Sequence, residues 1–335
     1  MHLSNCRYLE TTTAVVSQQE KDSAQRVTVE CRQPTARHFG ICWNMATMPK
    51  EGTTSMPQIS VNGLDAHYRD EGTGVTVILG HSSTGSSGQW RQLMKRLSGR
   101  FRLVAPDHVG LGRTPAYSGS APLMEQEIAI IEALLRLISQ PVHFVGHSYG
   151  GTILVRTAVR RPDQVRSLTL IEPGLFYLLA ASGRASEHAE IKSVVDRVIR
   201  YVGENNTAEA ARGFIDYWVG PGAYDAMDDR QREGVTAGMA KLQVEWPAAF
   251  VPYGATAEAL SALQMPVQLI EGSRTTPAAR AVIEILRVLC PRASYAKIDG
   301  AGHMSPLTHT EAVNEVIDRF ISGSTQSIST PRPPR

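Results

Sequence analysis

Short runs of apolar residues alternate with longer stretches of helical periodicity over most of the chain. The apolar runs predict strands near residues 75–80, 102–106, 142–147, 165–171, 267–271 and 294–298. The periodic stretches predict helices near residues 87–97, 122–139, 149–160, 278–289 and 308–321. Strands that are apolar along their whole length are typical of a parallel sheet covered on both faces. The pattern therefore predicts an α/β fold with a mostly parallel, doubly wound sheet.

A long helical segment interrupts the alternation in the second half of the chain. Helices are predicted near residues 189–202, 207–218 and 228–242, between the strands that end near 171 and begin near 267. A single crossover needs only one helix, so this stretch predicts a helical cap insertion over residues 174–263. Its many aromatic side chains favour an apolar pocket, although we expect about half of them to pack the cap onto the core.

The rest of the chain divides into a core and two ends. Residues 56–173 and 264–322 form the predicted core, which opens with a hairpin around Asn62-Gly63, a dipeptide that favours tight turns. Residues 1–55 and 323–335 show neither a helical nor a strand period. We therefore expect a disordered N-terminal extension and a frayed C-terminal tail.

Composition excludes several functions without indicating one. The 335 residues carry a formal net charge of +2, which gives no electrostatic case for binding nucleic acid. No apolar run reaches the roughly 18 residues needed to span a bilayer, and the four cysteines lack the Cys-x-x-Cys spacing of zinc sites. We expect no metal, no cofactor, no nucleic acid and no membrane, with free thiols in the cytoplasm. The oligomeric state is left open.

One glycine-rich turn carries the strongest chemical signal. The pentapeptide Gly146-His147-Ser148-Tyr149-Gly150 lies between a predicted strand and a predicted helix, which is the context of a nucleophile elbow. The central serine of such a turn adopts a strained backbone that lifts its hydroxyl clear of the sheet. Glycines two positions away on either side avoid collisions with the strand and the helix. Ser148 is therefore the candidate nucleophile; the alternative is a glycine turn without chemistry.

A histidine near the C-terminus supplies the base that such a serine needs. His303 follows the last predicted strand, in the loop 300–303 of sequence Gly-Ala-Gly-His. A serine hydroxyl is a weak nucleophile at neutral pH until an adjacent base accepts its proton, and a neutral imidazole suits that role. Because the serine precedes the histidine, as in one known triad order, we assign His303 as the general base rather than as a surface residue.

A third stretch, after the strand at 75–79, is rich in small residues. Residues 80–90 read Gly-His-Ser-Ser-Thr-Gly-Ser-Ser-Gly-Gln-Trp. Small residues at this point let backbone N–H groups face a developing oxyanion, and each such donor contributes about 2.7–4 kcal/mol. We assign the oxyanion hole to the N–H groups of Ser83 and Tyr149. Taken alone, the stretch is also compatible with a flexible Ser/Gly loop.

From about Ile59 to Ile321 the chain resembles the α/β-hydrolase fold superfamily. The resemblance rests on these three stretches and on a fourth, Ala105-Pro106-Asp107-His108-Val109-Gly110-Leu111-Gly112-Arg113. The Gly-His-Ser-Tyr-Gly-Gly and Gly-Ala-Gly-His motifs are specific to that superfamily. The resemblance implies a serine hydrolase, since its dehalogenases and epoxide hydrolases use aspartate at the elbow. It also implies a structural role for Asp107. One departure is Ser82, which stands where the family usually has a glycine.

The resemblance also bears on the third member of a catalytic triad. The family most often carries an aspartate three residues after the glycine that ends the penultimate strand, and here that residue is Thr275. Threonine cannot be the anion that orients the histidine. Some branches of the family place the acid one strand earlier, which implies Glu172 here. Glu271 and Asp299 are weaker candidates, and a serine–histidine dyad is the remaining alternative.

The expected reaction is hydrolysis of an ester, lactone or thioester of a small, fairly apolar acyl compound through an acyl-enzyme. Alternatives are a carbon–carbon bond hydrolase of ring-cleavage diketones, a cofactor-free perhydrolase, and a non-catalytic ligand-binding protein of the same fold. Arg274 is a candidate partner for a diketone carboxylate only by its proximity in sequence. We expect His81, Trp218 and Phe176 to contact the substrate.

Overall fold

The computed structural model describes residues 27–29 and 56–326 of the chain. The remainder of the predicted N-terminal extension and residues 327–335 of the predicted tail lie outside the described residues. The strands are β1 Val27–Val29, β2 Gln58–Val61, β3 Leu64–Glu71, β4 Val75–Gly80, β5 Phe101–Pro106, β6 Val142–His147, β7 Val165–Ile171, β8 Val267–Gly272 and β9 Ser294–Ile298. The α-helices are α1 Arg91–Leu97, α2 Leu123–Ile138, α3 Tyr149–Arg160, α4 Tyr177–Ala181, α5 Ala185–Gly203, α6 Thr207–Trp218, α7 Asp229–Glu245, α8 Ala257–Ser261, α9 Pro277–Leu289, α10 Ser305–Thr308 and α11 Thr310–Gln326.

The strands form one sheet in the order β1-β9-β8-β7-β6-β4-β5-β3-β2. In this spatial order the first seven strands, from β1 to β5, pair in parallel. Strand β3 pairs antiparallel with β5 on one side and with β2 on the other. The prediction of a mostly parallel, doubly wound sheet is confirmed. The consequence for function is that β6, β7 and β9 end at the same edge of the sheet, where ligands of open α/β sheets bind.

The buried strands explain the two helical layers. Every residue of β6 and of β8 is buried, because helices cover both faces of the sheet. Alternate side chains of β4 enter different cores: Val77 and Leu79 pack with residues of α1 and α11, whereas Ile78 packs with residues of α2 and α3. This alternation follows from the two-residue period of a strand and fixes the sheet between the two layers.

The first hairpin forms where the Asn-Gly dipeptide predicts it. Asn62 and Gly63 have φ values of 51° and 79°, which are the positive angles that a two-residue hairpin turn requires. Strand β3 runs from Leu64 to Glu71. Its first half pairs with β2, and its second half pairs with β5, so that Glu71 lies opposite Leu103.

The segment between β7 and β8 is helical, as the sequence predicts. It contains α4 to α8, and α6 has the bounds expected for it. Helix α7 begins with a capping box, in which Asp228 accepts from the N–H of Gln231 and the Gln231 side chain accepts from the N–H of Asp228. Several residues of this insertion face the carboxyl edge of the sheet, as described below.

None of the helices within residues 56–326 combines the length and the apolar composition that crossing a bilayer requires.

Candidate active site

The turn between β6 and α3 holds Ser148 in a strained conformation. Its backbone angles are φ 51° and ψ −118°, a region that residues with a side chain rarely adopt. Two backbone hydrogen bonds fix the turn: the N–H of Ser148 donates to the carbonyl of Ile171 at 2.9 Å, and the N–H of Gly150 donates to the carbonyl of His81 at 3.0 Å. The turn is thereby tied to both neighbouring strands, which places the serine at the edge of the sheet.

Close backbone contacts explain the glycines of the elbow. A Cβ atom on Gly146 would lie 2.5 Å from the Cα of Gly151, and one on Gly150 would lie 2.2 Å from the carbonyl carbon of Gly80. Real Cβ atoms do not approach backbone atoms so closely. Helix α3 can therefore start directly over β4 and β6 only because these positions carry no side chain.

A continuous chain of hydrogen bonds joins Ser148, His303 and Glu172. The Nε2 of His303 lies 3.0 Å from the Oγ of Ser148. On the other side of the ring, Nδ1 lies 2.7 Å from the Oε2 of Glu172. The side chains of His303 and Glu172 are almost fully buried, at 4% and 0% exposure. The structure thus brings together the three residues that the sequence singled out at the ends of β6, β7 and β9.

Three donors surround the carboxylate of Glu172. In addition to His303, the hydroxyl of Thr275 donates to Oε2 at 2.5 Å and the N–H of Gly272 donates to Oε1 at 2.7 Å. The backbone of Glu172 is itself in the left-handed region, with φ 42°. Thr275 therefore does not leave a gap at the position where the family usually has aspartate. It supports the carboxylate that arrives from the neighbouring strand.

The two weaker acid candidates have other partners. Glu271 accepts a hydrogen bond from the hydroxyl of Tyr295 at 3.0 Å and lies 3.4 Å from Arg280 and 3.6 Å from Lys297. Asp299 accepts from the hydroxyl of Ser273 at 3.2 Å. Among the described residues, neither carboxylate forms a hydrogen bond with the imidazole that faces the serine.

The structure also shows where the two residues assigned to the oxyanion hole lie. Ser83 and Tyr149 line the same cavity as Ser148. Over residues 56–326 the structure shows no acceptor for the N–H of either residue. For Tyr149 this is expected, because it is the first residue of α3 and the first N–H groups of a helix have no partner within it. Both groups are available to a ligand oxygen.

The comparison with known protein families covers most of the chain. The profile described as alpha/beta hydrolase fold matches residues 75–310, from the start of β4 to the start of α11. The chain belongs to the alpha/beta hydrolase fold family. The elbow, the histidine loop and strands β4 to β9 all lie within the matched segment.

Individual similar proteins differ in how much of this chain they match. The lipase LipV of Mycobacterium tuberculosis is 27% identical over 266 residues, which cover 76% of this chain and 97% of the relative. The cis-3-alkyl-4-alkyloxetan-2-one decarboxylase of Shewanella oneidensis is 32% identical over 124 residues, covering 36% of this chain and 39% of the relative. The first curated relatives are matched over only about two fifths of their length.

Solved structures extend the likeness to the whole fold. The carboxylesterase CesB of Bacillus subtilis superposes with a TM-score of 0.65, covers 80% of this chain and 92% of its own, and shares 21% sequence identity. At this identity the comparison concerns the fold alone.

In this member of the alpha/beta hydrolase family the cavity over the serine has mainly apolar walls. The insertion contributes the aromatic rings of Phe176, Phe214, Trp218 and Trp246. The ring of Trp218 lies over His303, with centroids 4.0 Å apart and planes tilted by 30°. The space open to the centre of a water molecule measures about 30 Å³, so little room remains around the hydroxyl of Ser148.

His81 occupies a different place from the one expected for it. Its ring is fully buried and does not line the cavity. Nδ1 donates to the carbonyl of Ser82 at 2.8 Å, and Nε2 accepts from the N–H of His108 at 3.0 Å. Burial, and then the charge of His108, hold the pKa of His81 well below its ordinary value of 6.5. Both nitrogens are therefore used within the protein, and the ring holds in place the start of residues 81–86, which we call the oxyanion loop after the donor assigned to Ser83.

Asp107 also shapes this loop. Its carboxylate accepts from the N–H of Ser87 at 2.7 Å and from the N–H of Arg113 at 3.0 Å. A Cβ atom on Gly112, whose φ is 57°, would lie 2.2 Å from the same carboxyl carbon. These contacts agree with the structural role that the resemblance implies.

Sequence reasoning missed a hydrogen-bonded network behind the serine. The amide of Gln89 accepts from the N–H of Ser82 at 3.1 Å and donates to Nδ1 of His147 at 3.3 Å. Nε2 of His147 then donates to the carbonyl of His303 at 2.9 Å. Burial, and then the neighbouring His303, hold the pKa of His147 well below 6.5, so its ring stays neutral. The network ties the oxyanion loop to the histidine loop.

A second missed residue is a carboxyl group in the cavity wall. Glu245, the last residue of α7, lines the cavity, and its Oε1 accepts a hydrogen bond from the hydroxyl of Ser83. Its side chain has 0% exposure, and burial raises its pKa above the ordinary value of 4.5 despite the nearby Lys241. The weak amphipathic pattern of α7 gave no sign that this residue faces the site.

Arg274 does not reach the cavity. Its side chain is exposed on the loop after β8, and the described residues that line the cavity include neither lysine nor arginine. Lys241 is not part of the cavity wall, but its Nζ lies 3.3 Å from Oε2 of Glu245. The polar surface that the insertion presents to the serine is therefore acidic rather than basic.

Proposed function

We propose that the protein is a serine hydrolase that cleaves an ester-like bond of a small, fairly apolar acyl substrate through an acyl-enzyme. The observation that carries this proposal is the hydrogen-bonded chain from Ser148 through His303 to Glu172, which opens into an apolar cavity. The similarity to lipase LipV and the fold shared with carboxylesterase CesB support it.

The first half of the reaction acylates the serine. The Oγ of Ser148 attacks the carbonyl carbon while Nε2 of His303 accepts the hydroxyl proton. The N–H groups of Ser83 and Tyr149 donate to the oxyanion of the tetrahedral intermediate. Glu172 keeps the imidazole in the tautomer with hydrogen on Nδ1 and stabilises the imidazolium. His303 then gives its proton to the leaving group, and the carbon–oxygen bond of the ester breaks.

The second half repeats the sequence with water. His303 removes a proton from water, the hydroxide attacks the acyl carbon, and the same two N–H groups stabilise the second oxyanion. Collapse of this intermediate returns the proton to the Oγ of Ser148 and releases the carboxylic acid. These steps need only side chains and backbone groups of this chain, which acts on a small-molecule substrate. The proposal places the enzyme in the cytoplasm, on the cysteine usage alone.

The lining of the cavity favours an ester over a ring-cleavage diketone. A diketone of that class carries a carboxylate, and a buried carboxylate requires a cation or several donors around it. The described cavity wall contains Glu245 and the imidazole of His303, but neither lysine nor arginine. An anionic substrate group would therefore meet a like charge or a second carboxyl group.

Labelling by a fluorophosphonate tests the proposal directly. Wild-type protein is expected to gain one adduct by intact-mass spectrometry, and Ser148→Ala is expected to gain none. Ser273→Ala is the matched control, since this serine lies in the loop after β8 and bonds to Asp299. A well-folded wild type that gains no adduct, and hydrolyses no 4-nitrophenyl ester, would contradict the proposed function and favour a binding protein.

A further inference from the structure

Glu245 combines burial with an unused hydrogen-bonding atom at the proposed active site. Its Oε1 accepts from the hydroxyl of Ser83, whereas Oε2 forms no hydrogen bond among the described residues and has only an ion pair with Lys241 at 3.3 Å. Both residues line the cavity that contains Ser148. A buried polar atom without a partner is costly, and natural proteins keep such atoms chiefly where a ligand or another group completes them.

The surroundings of Glu245 restrict the charge of that ligand. Nζ of Lys241 lies 3.3 Å from Oε2 of Glu245 and also 3.3 Å from Oε1 of Glu127. It makes no hydrogen bond to Oε2 of Glu245. A cationic ligand group beside Oε2 would be repelled by this ammonium. An anionic group would be repelled by the carboxyl itself and would find neither lysine nor arginine in the described wall. A neutral hydroxyl fits, because it can donate to or accept from a carboxyl oxygen.

The arrangement also indicates which part of the substrate carries the hydroxyl. In the proposed reaction His303 protonates the leaving group, which must therefore lie next to the imidazole. Glu245 is bonded instead to Ser83, the residue whose N–H we assign to the carbonyl oxygen of the acyl group. A group that reaches Glu245 thus belongs to the acyl portion of the substrate.

We propose that Glu245 is a specificity-determining residue that binds a hydroxyl group on the acyl chain, so that the preferred substrates are esters of short hydroxy acids. This inference rests on the proposed function. It explains why the insertion, whose other contributions to the wall are mainly apolar, places a carboxyl group next to the oxyanion loop. A site that hydrogen-bonds a substrate hydroxyl discriminates strongly against the analogue that lacks it.

The test compares matched substrates within each protein. The probes are 4-nitrophenyl butyrate and the 4-nitrophenyl esters of 2-hydroxybutyrate, 3-hydroxybutyrate and 3-aminobutyrate, which share one leaving group. In wild type, kcat/KM for the better hydroxy ester is expected to exceed that for butyrate by about tenfold or more. The ratio is read within one protein, so a general loss of activity in a variant cancels.

Two substitutions separate binding from support of the fold. Glu245→Gln keeps the size and a hydrogen-bonding amide and is expected to retain part of the preference. Glu245→Leu removes both polar atoms and is expected to bring the hydroxy-to-butyrate ratio to about one or below. Glu233→Leu, on an exposed position of the same helix, is the matched control and should keep the wild-type ratio. A residue that only supported Ser83 would change both substrates equally.

The outcomes distinguish this inference from the proposed function. Hydrolysis of butyrate with a wild-type ratio near one, or with a ratio that Glu245→Leu leaves unchanged, would overturn the inference and leave the hydrolase proposal intact. A preference for the amino ester over both hydroxy esters would also overturn it. Absence of hydrolysis and of fluorophosphonate labelling would contradict the proposed function itself.

Discussion

Replacing Glu172 by glutamine tests the hydrogen-bonded chain at its most constrained point. The substitution keeps the shape of the side chain and exchanges one carboxylate oxygen for an amide nitrogen. All three partners of the carboxylate are donors: the N–H of Gly272, the hydroxyl of Thr275 and Nδ1–H of His303. A glutamine offers only one oxygen, so at least one of these donors must change.

The geometry predicts which donor changes. The N–H of Gly272 is fixed in the backbone, so the amide oxygen is expected to stay opposite it at the position of Oε1. The NH₂ group then faces Nδ1 of His303, and the imidazole must carry its proton on Nε2 instead. In that tautomer Nε2 cannot accept the proton of Ser148. The negative charge that stabilises the imidazolium is lost at the same time.

The expected effect is large because both losses act in the transition state. Exchange of a triad acid for its amide lowers kcat by about 10⁴ in the best-studied serine protease, so we expect a loss of about 10³–10⁴ here, or about 4–5 kcal/mol. The assay is hydrolysis of a 4-nitrophenyl ester, with thermal unfolding to verify the fold. Glu258→Gln, the same exchange on an exposed position of α8, should leave kcat within twofold, an estimate in line with the small effect of surface substitutions.

A second substitution sharpens this test. Thr275 lies 2.5 Å from the oxygen that faces the imidazole, so Glu172→Gln combined with Thr275→Asp should regain about tenfold or more of the lost rate by supplying an anion from β8. A Glu172→Gln protein that stays folded and retains kcat within about fivefold of wild type would refute the triad assignment. It would favour a serine–histidine dyad.

Two further predictions concern folding. Burial lowers the pKa of His143 from 6.5 to about 4, so the unfolded chain binds this proton more tightly than the folded protein does. Acidification from pH 6.5 to 4 should therefore lower the free energy of unfolding by about 3 kcal/mol through this group. In denaturant titrations His143→Gln should lose less stability over that interval than wild type, and an equal loss would contradict the assignment. Gly150→Ala should destabilise by about 3 kcal/mol, because its Cβ would lie 2.2 Å from backbone, whereas Gly234→Ala on α7, where the added atom meets open space, should stabilise by about 0.5–1 kcal/mol. Thermal unfolding of the two variants in the opposite order would argue against the elbow packing.

Much of the core could be predicted because its elements have strong local signals. The strands β6 and β7 are buried on both faces, so their apolar runs stand out from the flanking turns. Candidate site residues at the carboxyl ends of strands are then brought together by the parallel topology itself. This is why Ser148 and His303, 155 positions apart, could be paired from sequence.

The contacts that could not be predicted depend on side-chain direction. The sequence shows Thr275 only as the absence of an aspartate, yet its hydroxyl donates to Glu172 from the loop after β8. Gln89 and Glu245 reach their partners across 58 and 162 positions, respectively. No periodicity encodes such pairings, because they depend on how loops and helices pack over the sheet. For the same reason the sequence could not show that the loop turns the ring of His81 inward, onto the N–H of His108.

The point at which the insertion leaves the sheet divides the chain into separately variable parts. Glu172 directly follows β7, and the chain returns at β8, whose Leu269 pairs with Leu170. The two ends of the excursion are therefore neighbours, and its length can change at small entropic cost without disturbing the strands. Ser148, His303 and Glu172 follow strands of the sheet, whereas Trp218 and Glu245 belong to the insertion between β7 and β8. Recombination within 174–263 is thus expected to change the cavity wall and to leave Ser148, His303 and Glu172 in place.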